Sequence, residues 1–279
     1  MPVIPSIDLH VHSTFSDGKL SPKELVERAV RNRVVAMAIC DHDSLSGAEE
    51  KEAACASAGV ECVPAVEVSC SHQEYEVHVL GLYVDPFSPW RKKLDAISQA
   101  REGRMLAMLN KLSSLGMPIK REDLPLDSFA IGRPHLARAL MEKRYVRSVS
   151  EAFARFLYDD GPVYVKKTRL EAEEGIDLVH RLGGVAILAH PGVSNLLDRL
   201  DILKSLGIDG IEVYYPNHEG KTVTKLLRYC SEQGLLVTGG TDFHAPGESP
   251  EIGSLRVPTD LLKLIRERAE HNRQDRLLA

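Results

Sequence analysis

The chain has no C-x-x-C pair, no long apolar run, no Gly-rich nucleotide fingerprint and no excess of positive charge. Each absence removes a class of protein. The five cysteines, Cys40, Cys55, Cys62, Cys70 and Cys230, are odd in number and irregularly spaced. That argues against a disulfide framework and against a thiolate zinc finger. Reduced, mostly buried thiols in a cytoplasmic protein are expected instead. No apolar stretch approaches the ~20 residues that span a bilayer. The N-terminus shows no basic segment followed by an apolar run, so no signal peptide is expected. With 35 Lys and Arg against 40 Asp and Glu, the formal net charge is −5. An acidic protein is poorly suited to gripping long nucleic acid through counterion release. There is no internal repeat and no low-complexity segment. What remains is a chain of 279 residues, 43% hydrophobic, long enough for one large domain, or a domain with an insertion, around a substantial core.

The densest chemistry lies at the start, in Asp8-Leu9-His10-Val11-His12 followed by Ser16-Asp17-Gly18. Val3, Ile4 and Ile7 are apolar and β-branched, so residues 3–12 read as a strand. Side chains at i and i+2 share a face, so His10 and His12 point together where the strand ends. Two imidazoles with a carboxylate about a turn away suit a transition metal. A single H-x-H is as readily a pair of core histidines; recurrence of the pattern decides between the readings.

It recurs along an alternation of strand and helix. Ser21-Pro22-Lys23-Glu24 opens a helix, with Ser at the cap, Pro at the first position and Glu at the third. A strand over 34–40 ends in Asp41-His42-Asp43. An Ala- and Glu-rich helix over 46–58 closes at Gly59. A strand over 60–68 carries Glu67 near its end, and one over 76–84 carries His78 near its start. Residues 86–167 then read as helix after helix, punctuated at Gly116-Met117-Pro118, Pro125, Gly132-Arg133-Pro134 and Gly161-Pro162. The rhythm resumes with a helix over 170–182 and a strand over 185–189 ending in His190-Pro191-Gly192. Strands over 211–215 and 235–239 follow, the last ending in Thr241-Asp242-Phe243-His244. A charged helix over 258–279 closes the chain. This pattern predicts an α/β fold, a parallel sheet with helices outside it. Seven strands suit a distorted (β/α) barrel over 1–85 and 168–279, with 86–167 as a helical insertion covering its mouth. An open doubly wound sheet is the alternative, but no Gly-rich fingerprint follows a strand.

Six of the eleven histidines, His10, His12, His42, His78, His190 and His244, fall in or beside these strands. Carboxylates accompany them: Asp8 and Asp17, Asp41 and Asp43, Glu67, and Asp242. In a parallel barrel the carboxyl ends gather at one rim, so residues far apart in sequence converge. His78 fits less cleanly, because it comes early in its strand. Buried together, such groups cost roughly several kcal/mol unless something binds them. Imidazole and carboxylate without thiolate suit Mn²⁺, Zn²⁺ or Fe²⁺ better than Ca²⁺ or Mg²⁺. Clustered metals suit hydrolysis of a phosphate ester, since they lower the pKa of a water and neutralise phosphoryl charge.

D-L-H-V-H-S-x-x-S-D-G at Asp8 to Gly18, D-H-D at Asp41 to Asp43, V-E-V-S at Val66 to Ser69, A-H-P-G at Ala189 to Gly192 and T-D-F-H at Thr241 to His244 resemble the motifs of the PHP (polymerase and histidinol phosphatase) family. They come in that family's order across the whole chain. The resemblance implies a distorted seven-stranded barrel with two or three divalent metals, Mn²⁺ foremost, with Zn²⁺ or Fe²⁺ as alternatives. It implies His10, His12, Glu67 and Asp242 around one metal. Glu67 would bridge to a second held by His78 and His190, and Asp17, His42 and His244 would hold a third. One departure is Cys40, where the family often has Thr before D-H-D; beside intact Asp41 and His42 it is expected to be tolerated.

Residues 91–167 hold 16 Lys and Arg against 9 Asp and Glu. A basic cap on an acidic barrel focuses anions toward a site, although a solvated helical surface would show the same charge. Arg133, just before a helix, would pair a guanidinium with a helix N-terminus against a phosphate. His135, Lys166 and Lys167 are further candidates, with Arg101 and Arg104 behind them. His135 could equally cap its helix. His218, after the sixth strand, could contact substrate or protonate a leaving oxygen. G-R-P-H-x-A-R at Gly132 to Arg138, E-G-R at Glu102 to Arg104 and G-P-x-Y-V at Gly161 to Val165 resemble the insertion of one PHP branch, that of the nucleoside 3′,5′-bisphosphate phosphatases and RNase AM-like enzymes. This implies conversion of adenosine 3′,5′-bisphosphate to AMP and phosphate, and extends to 5′→3′ trimming of short oligoribonucleotides. The partner expected is thus a small nucleotide, not a membrane. The rivals are a phosphatase for another monoester such as histidinol phosphate, a non-catalytic metal-binding module, and a proofreading nuclease acting in trans.

Overall fold

The computed structural model describes residues 5–124, 132–167 and 169–278. Val3 and Ile4 of the first predicted strand and the turn at Pro125 lie outside the described residues. β1 (Ser6–Val11) is buried along its whole length. Ile7, Leu9 and Val11 alternate with Asp8 and His10, and His12 continues the polar phase. α1 (Pro22–Arg31) opens as the sequence predicts. The Ser21 hydroxyl accepts from the Glu24 amide while the Glu24 carboxylate accepts from the Ser21 amide at 2.8 Å. β2 (Val34–Ile39) leads to α2 (Ala48–Ala58), which closes at Gly59 with φ of 68°. One strand was expected over 60–68. The chain instead forms β3 (Glu61–Val63) and β4 (Ala65–His72), separated by Pro64, which has no N–H to give a continuous ladder. β5 (Tyr75–Leu82) folds back on β4.

α3 (Arg91–Ser114), α4 (Arg133–Glu142) and α5 (Val149–Ala152) carry most of the helical stretch. β6 (Leu170–Glu171), α6 (Ala172–Arg181), β7 (Val185–Leu188), α7 (Leu200–Ser205), β8 (Gly210–Tyr214), α8 (Gly220–Gln233), β9 (Leu236–Gly239) and α9 (Leu261–Leu278) restore the alternation. The chain divides into two compact units, one of residues 1–94 with 169–279 and one of residues 95–168. The first has its core among β-strands and helices, with Leu9, Leu80, Leu82, Ile187 and Ile265 fully buried, and Val11, Leu25, Met37 and Phe243 in a second cluster. The second unit buries Met108, Leu112, Leu136, Leu140 and Leu157.

The fold is α/β, with the strands in two sheets, β1-β2-β3 and β6-β4-β5-β7-β8-β9. The expectation of a wholly parallel arrangement fails at β5, which runs antiparallel to both β4 and β7. The two sheets are tied at both seams. At one, the Asp242 amide donates to the His10 carbonyl at 2.8 Å and the His12 amide to the Phe243 carbonyl at 2.9 Å. At the other, the Glu67 amide donates to Asp41 at 3.2 Å and the Asp43 amide to Glu67 at 2.8 Å. No helix among the described residues is long and apolar enough to cross a membrane. All five cysteines are free thiols, and all but Cys62 are buried.

The first seam depends on a small residue. A Cβ on Gly240 would lie 2.4 Å from the backbone nitrogen of His10, far inside van der Waals contact. Gly240→Ala is expected to destabilise the protein by about 2 kcal/mol, the scale of overpacking a closed core. Urea unfolding should show a lower midpoint with an unchanged slope.

Candidate metal centre

The nine side chains expected as ligands all lie in the first unit, and the strands deliver them to one place. His10 and His12 come from the end of β1, Asp17 from the turn after it, His42 from just past β2, Glu67 from β4, and His190 from just past β7. Asp242 and His244 follow β9. The reversal of β5 accounts for His78. In an antiparallel strand the starting end lies where its neighbours' carboxyl ends lie, and His78 pairs with Ser69, two residues beyond Glu67.

Glu67, 1% exposed, sits in the middle. Its Oε2 is 3.4 Å from His10 Nε2, 3.2 Å from His12 Nε2 and 3.0 Å from His42 Nδ1. Its Oε1 faces the other way, 2.8 Å from His78 Nδ1 and 3.3 Å from His190 Nε2. Asp242 Oδ1 lies 3.4 Å from His10 Nε2, 3.1 Å from His12 Nε2 and 3.4 Å from His244 Nδ1. Asp17 reaches His244 at 3.4 Å and both His12 and His42 at 3.8 Å. Three sets of donor atoms lie close enough to share an ion: His12, Asp17, His42 and His244; His10, His12 and Glu67; and His42, Glu67 and His78. His42 thus faces Glu67 as well as Asp17, whereas the sequence placed it with Asp17 and His244 alone.

The donor atoms fit a metal on their own chemistry. Glu67 Oε2, Asp242 Oδ1, His42 Nδ1 and His78 Nδ1 are buried without a hydrogen bond of sound geometry. An orphaned buried polar atom costs about 1–3 kcal/mol, and four of them converging on each other's lone pairs describe a cation site.

Outer partners hold the rings. His10 Nδ1 bonds Glu212 at 3.0 Å, His190 Nδ1 bonds Ser194 at 2.9 Å, and His244 Nδ1 donates to the Asp242 carbonyl at 2.8 Å. Such bonds choose the tautomer and aim the other nitrogen. Tyr215 donates its hydroxyl to Asp242 Oδ2 at 3.0 Å. The sequence reading did not name Glu212, Ser194 or Tyr215. Glu212 left a signal, a single acid inside the apolar run of β8. Three adjacent carboxylates turn away from the centre to tie backbone. Asp8 accepts from Thr241 and Gly253, Asp43 from the Ser69 amide, and Asp41 from Ser13 and Ser16. Asp43, His190 and Asp242 take left-handed φ of 50°, 31° and 51°, conformations that cluster where function over-determines the backbone. The Cys40 thiol donates to the Leu9 carbonyl at 3.3 Å, filling the departure from the motif without touching the centre.

Four of the substrate candidates already bond protein groups. His218 is buried, donates Nδ1–H to the Val213 carbonyl at 3.0 Å and accepts the Gly192 amide on Nε2 at 3.0 Å. Burial holds its pKa below the usual histidine value, and with both ring nitrogens bonded to backbone it braces the fold, whereas its sequence position offered a substrate contact or a proton donor. His135 Nδ1 accepts the Gly132 amide at 3.1 Å, the capping role that competed with phosphate binding. Arg133 donates through Nη1 to the Leu157 carbonyl at 2.9 Å and to Asp159 at 2.6 Å. Arg104 donates to the Val165 carbonyl, and Lys166 is exposed. Arg133, His135 and Lys166 belong to the second unit and His218 to the first.

The PHP domain profile matches residues 8–176. A 5′-3′ exoribonuclease of Haemophilus influenzae is 34% identical over 256 residues, covering 88% of this chain and 92% of its own. A 3′,5′-nucleoside bisphosphate phosphatase of Chromobacterium violaceum is 33% identical over 255 residues, covering 87% and 88%. Among solved structures, a protein of Bifidobacterium adolescentis classed with metal-dependent phosphoesterases superposes with a TM-score of 0.81 at 29% identity, covering 96% of this chain and 98% of its own.

Without metal, the histidines and carboxylates of the centre hold one another's charge. Burial lowers the pKa of His12, but Asp242 and Glu67 more than offset it and raise it to about 10. Burial likewise lowers His78, and Glu67 with Glu76 raises it to about 9. Burial raises Glu67, and His42, His78 and His10 pull it well below the usual range. A raised histidine pKa stabilises the fold fully below the unfolded value, near 6.5, and that stability is lost as pH climbs through the folded value. The metal-free protein is therefore expected to melt at progressively lower temperature from pH 6.5 to 10, which differential scanning fluorimetry of chelated protein would show. A flat profile over that range would contradict the charge arrangement.

Proposed function

This chain belongs to the PHP domain family, and from that premise we propose that it is a metal-dependent phosphoesterase that removes the 3′-phosphate of nucleoside 3′,5′-bisphosphates. Adenosine 3′,5′-bisphosphate and water would give AMP and phosphate, with the P–O bond to the ribose 3′-oxygen breaking. The same bond chemistry extends to trimming short oligoribonucleotides from the 5′ end. The observation that carries this reading is Glu67, whose two buried oxygens face different sets of imidazoles. The family relatives named for these two activities, matching most of the chain, support it.

The assignment of ligands follows the family pattern. His10, His12, Glu67 and Asp242 would hold one divalent ion, Glu67 with His78 and His190 a second, and Asp17, His42 and His244 a third. Mn²⁺ is proposed, with Zn²⁺ and Fe²⁺ as alternatives for the same donors. When bound, such ions supply Lewis acidity, acidifying water and neutralising phosphoryl charge. We read the two tied sheets as the family's distorted seven-stranded barrel. The chain's own residues do the rest. Glu212 and Ser194 keep His10 and His190 turned inward, and Tyr215 fixes Asp242. Following the branch resemblance, Arg133 and Lys166 would take the substrate phosphates.

Phosphate release from adenosine 3′,5′-bisphosphate by Mn²⁺-loaded protein tests the proposal, with AMP and histidinol phosphate as comparison substrates. Selective release leaving AMP is expected. Equal or better turnover of histidinol phosphate would keep the centre and overturn the nucleotide reading. Arg133→Ala should raise KM about 10-fold or more with kcat little changed, since a bond to a charged group is worth about 1.5–3 kcal/mol. An unchanged KM would remove Arg133 from the site.

A further inference from the structure

One buried ion pair has no part in the ligand set. Lys51, on α2, places Nζ 2.5 Å from Asp41 Oδ2. Asp41 is 0% exposed and Lys51 6%. Both oxygens of Asp41 are saturated. Oδ1 accepts the Ser13 amide at 2.8 Å and the Ser16 hydroxyl at 2.7 Å, and Oδ2 accepts the Ser13 hydroxyl at 2.7 Å beside the ammonium. Asp41 therefore makes no bond to the centre, although its neighbour in sequence is His42.

What Asp41 holds is the turn over 13–18, which carries Asp17. The turn is compact: the Ser16 and Gly18 amides both donate to the Ser13 carbonyl at 3.0 Å. α2 closes on it from the other side. Gly47, at the start of α2 with φ of 69°, lies so close to Phe15 that a Cβ there would sit 2.1 Å from the ring. The Lys51 ammonium lies 5.8 Å from the same ring. Helix, lysine and aspartate together fix a turn whose Asp17 reaches His12, His42 and His244.

We propose that Lys51 is a positioning residue: through Asp41 it sets the 13–18 turn and the start of the His42 segment, so that Asp17, His42 and His244 can hold a divalent metal. The lysine is needed because the clamp is a carboxylate out of water. Removing one partner of a buried pair leaves an uncompensated charge, and that carboxylate would draw in water or a proton in place of the serine bonds. A cavity of about 330 Å³ borders Lys51, lined also by Ile39, Leu45, Val60 and Cys62, so there is space beside this side chain for a longer one. The proposal rests on the metal-centre reading above and concerns only one of its three sites.

The test is equilibrium binding of Mn²⁺ to metal-free protein, counting free ion by electron paramagnetic resonance, for wild type, Lys51→Met, Lys51→Arg and Ser13→Ala. In Lys51→Met, one Mn²⁺ equivalent is expected to weaken by about 10- to 100-fold, the scale for losing an outer partner of a metal ligand. The other equivalents should keep wild-type affinity, and Lys51→Arg should restore the lost one. Wild-type binding in Lys51→Met, an even weakening of every equivalent, or failure of Lys51→Arg to rescue would each overturn the proposal. If Lys51→Met does not fold, Ser13→Ala decides, because it removes one Asp41 donor without touching a ligand and leaves the ion pair. The same single equivalent should weaken, and unchanged binding would overturn the proposal. A wild type that binds no Mn²⁺ would instead show that the metal-centre reading had failed.

Discussion

A buried carboxylate with one oxygen left without a sound hydrogen bond governs this structure. Glu67 lies on β4, which is buried from Ala65 to Cys70, with five imidazole nitrogens within 3.4 Å of its two oxygens. Neutral imidazoles offer it too few donors in sound geometry, and protonated ones would crowd positive charge. A divalent cation resolves both problems, because imidazole lone pairs and carboxylate oxygens then face a common positive centre. The seam at Glu67 is bonded to the residues flanking His42, so the strand that brings the acid also fixes its partner.

The surrounding polar residues are there to keep that arrangement from relaxing. Glu212 serves twice, accepting from the His10 ring and from the His190 backbone amide at 2.9 Å. Asp8 ties β1 to the segment after β9, and burial offsets its several hydrogen bonds, raising its pKa to about 6. Left-handed backbone at Asp43, His190 and Asp242 is unfavourable locally. It persists because each of these residues is bonded into the seams or against Glu212. Rigidity here is a property of the network, since no single bond in it exceeds a few kcal/mol.

Charge is unevenly divided along the chain. The stretch over 91–167 is net +7 and the remainder net −12. An acidic body with a buried cation site suits metal recruitment, while a basic segment suits phosphate, and a phosphoesterase needs both. Fold and family narrow the chemistry to ester hydrolysis; the identity of the ester belongs to the residues that meet it.

Much of this was legible in the sequence. The period-2 phase of β1 set His10 and His12 on one face, Ser21 to Glu24 marked a capping box, and the nine ligand types stood at strand ends. These are local signals, governed by backbone geometry over a few residues. Five features became definite only with the structure. β5 runs antiparallel, which brings His78 to the rim from the wrong end of its strand. Pro64 splits one expected strand into two. His218 and His135 spend ring nitrogens on backbone, Asp8, Asp41 and Asp43 clamp turns instead of facing the centre, and Glu212 and Lys51 emerge as supports. Most of these depend on which groups meet across the fold, Glu212 and His10 being 202 residues apart, whereas the Pro64 break and the His135 cap are local. Local sequence sets what a side chain can do; strand direction and burial decide which partner it finds.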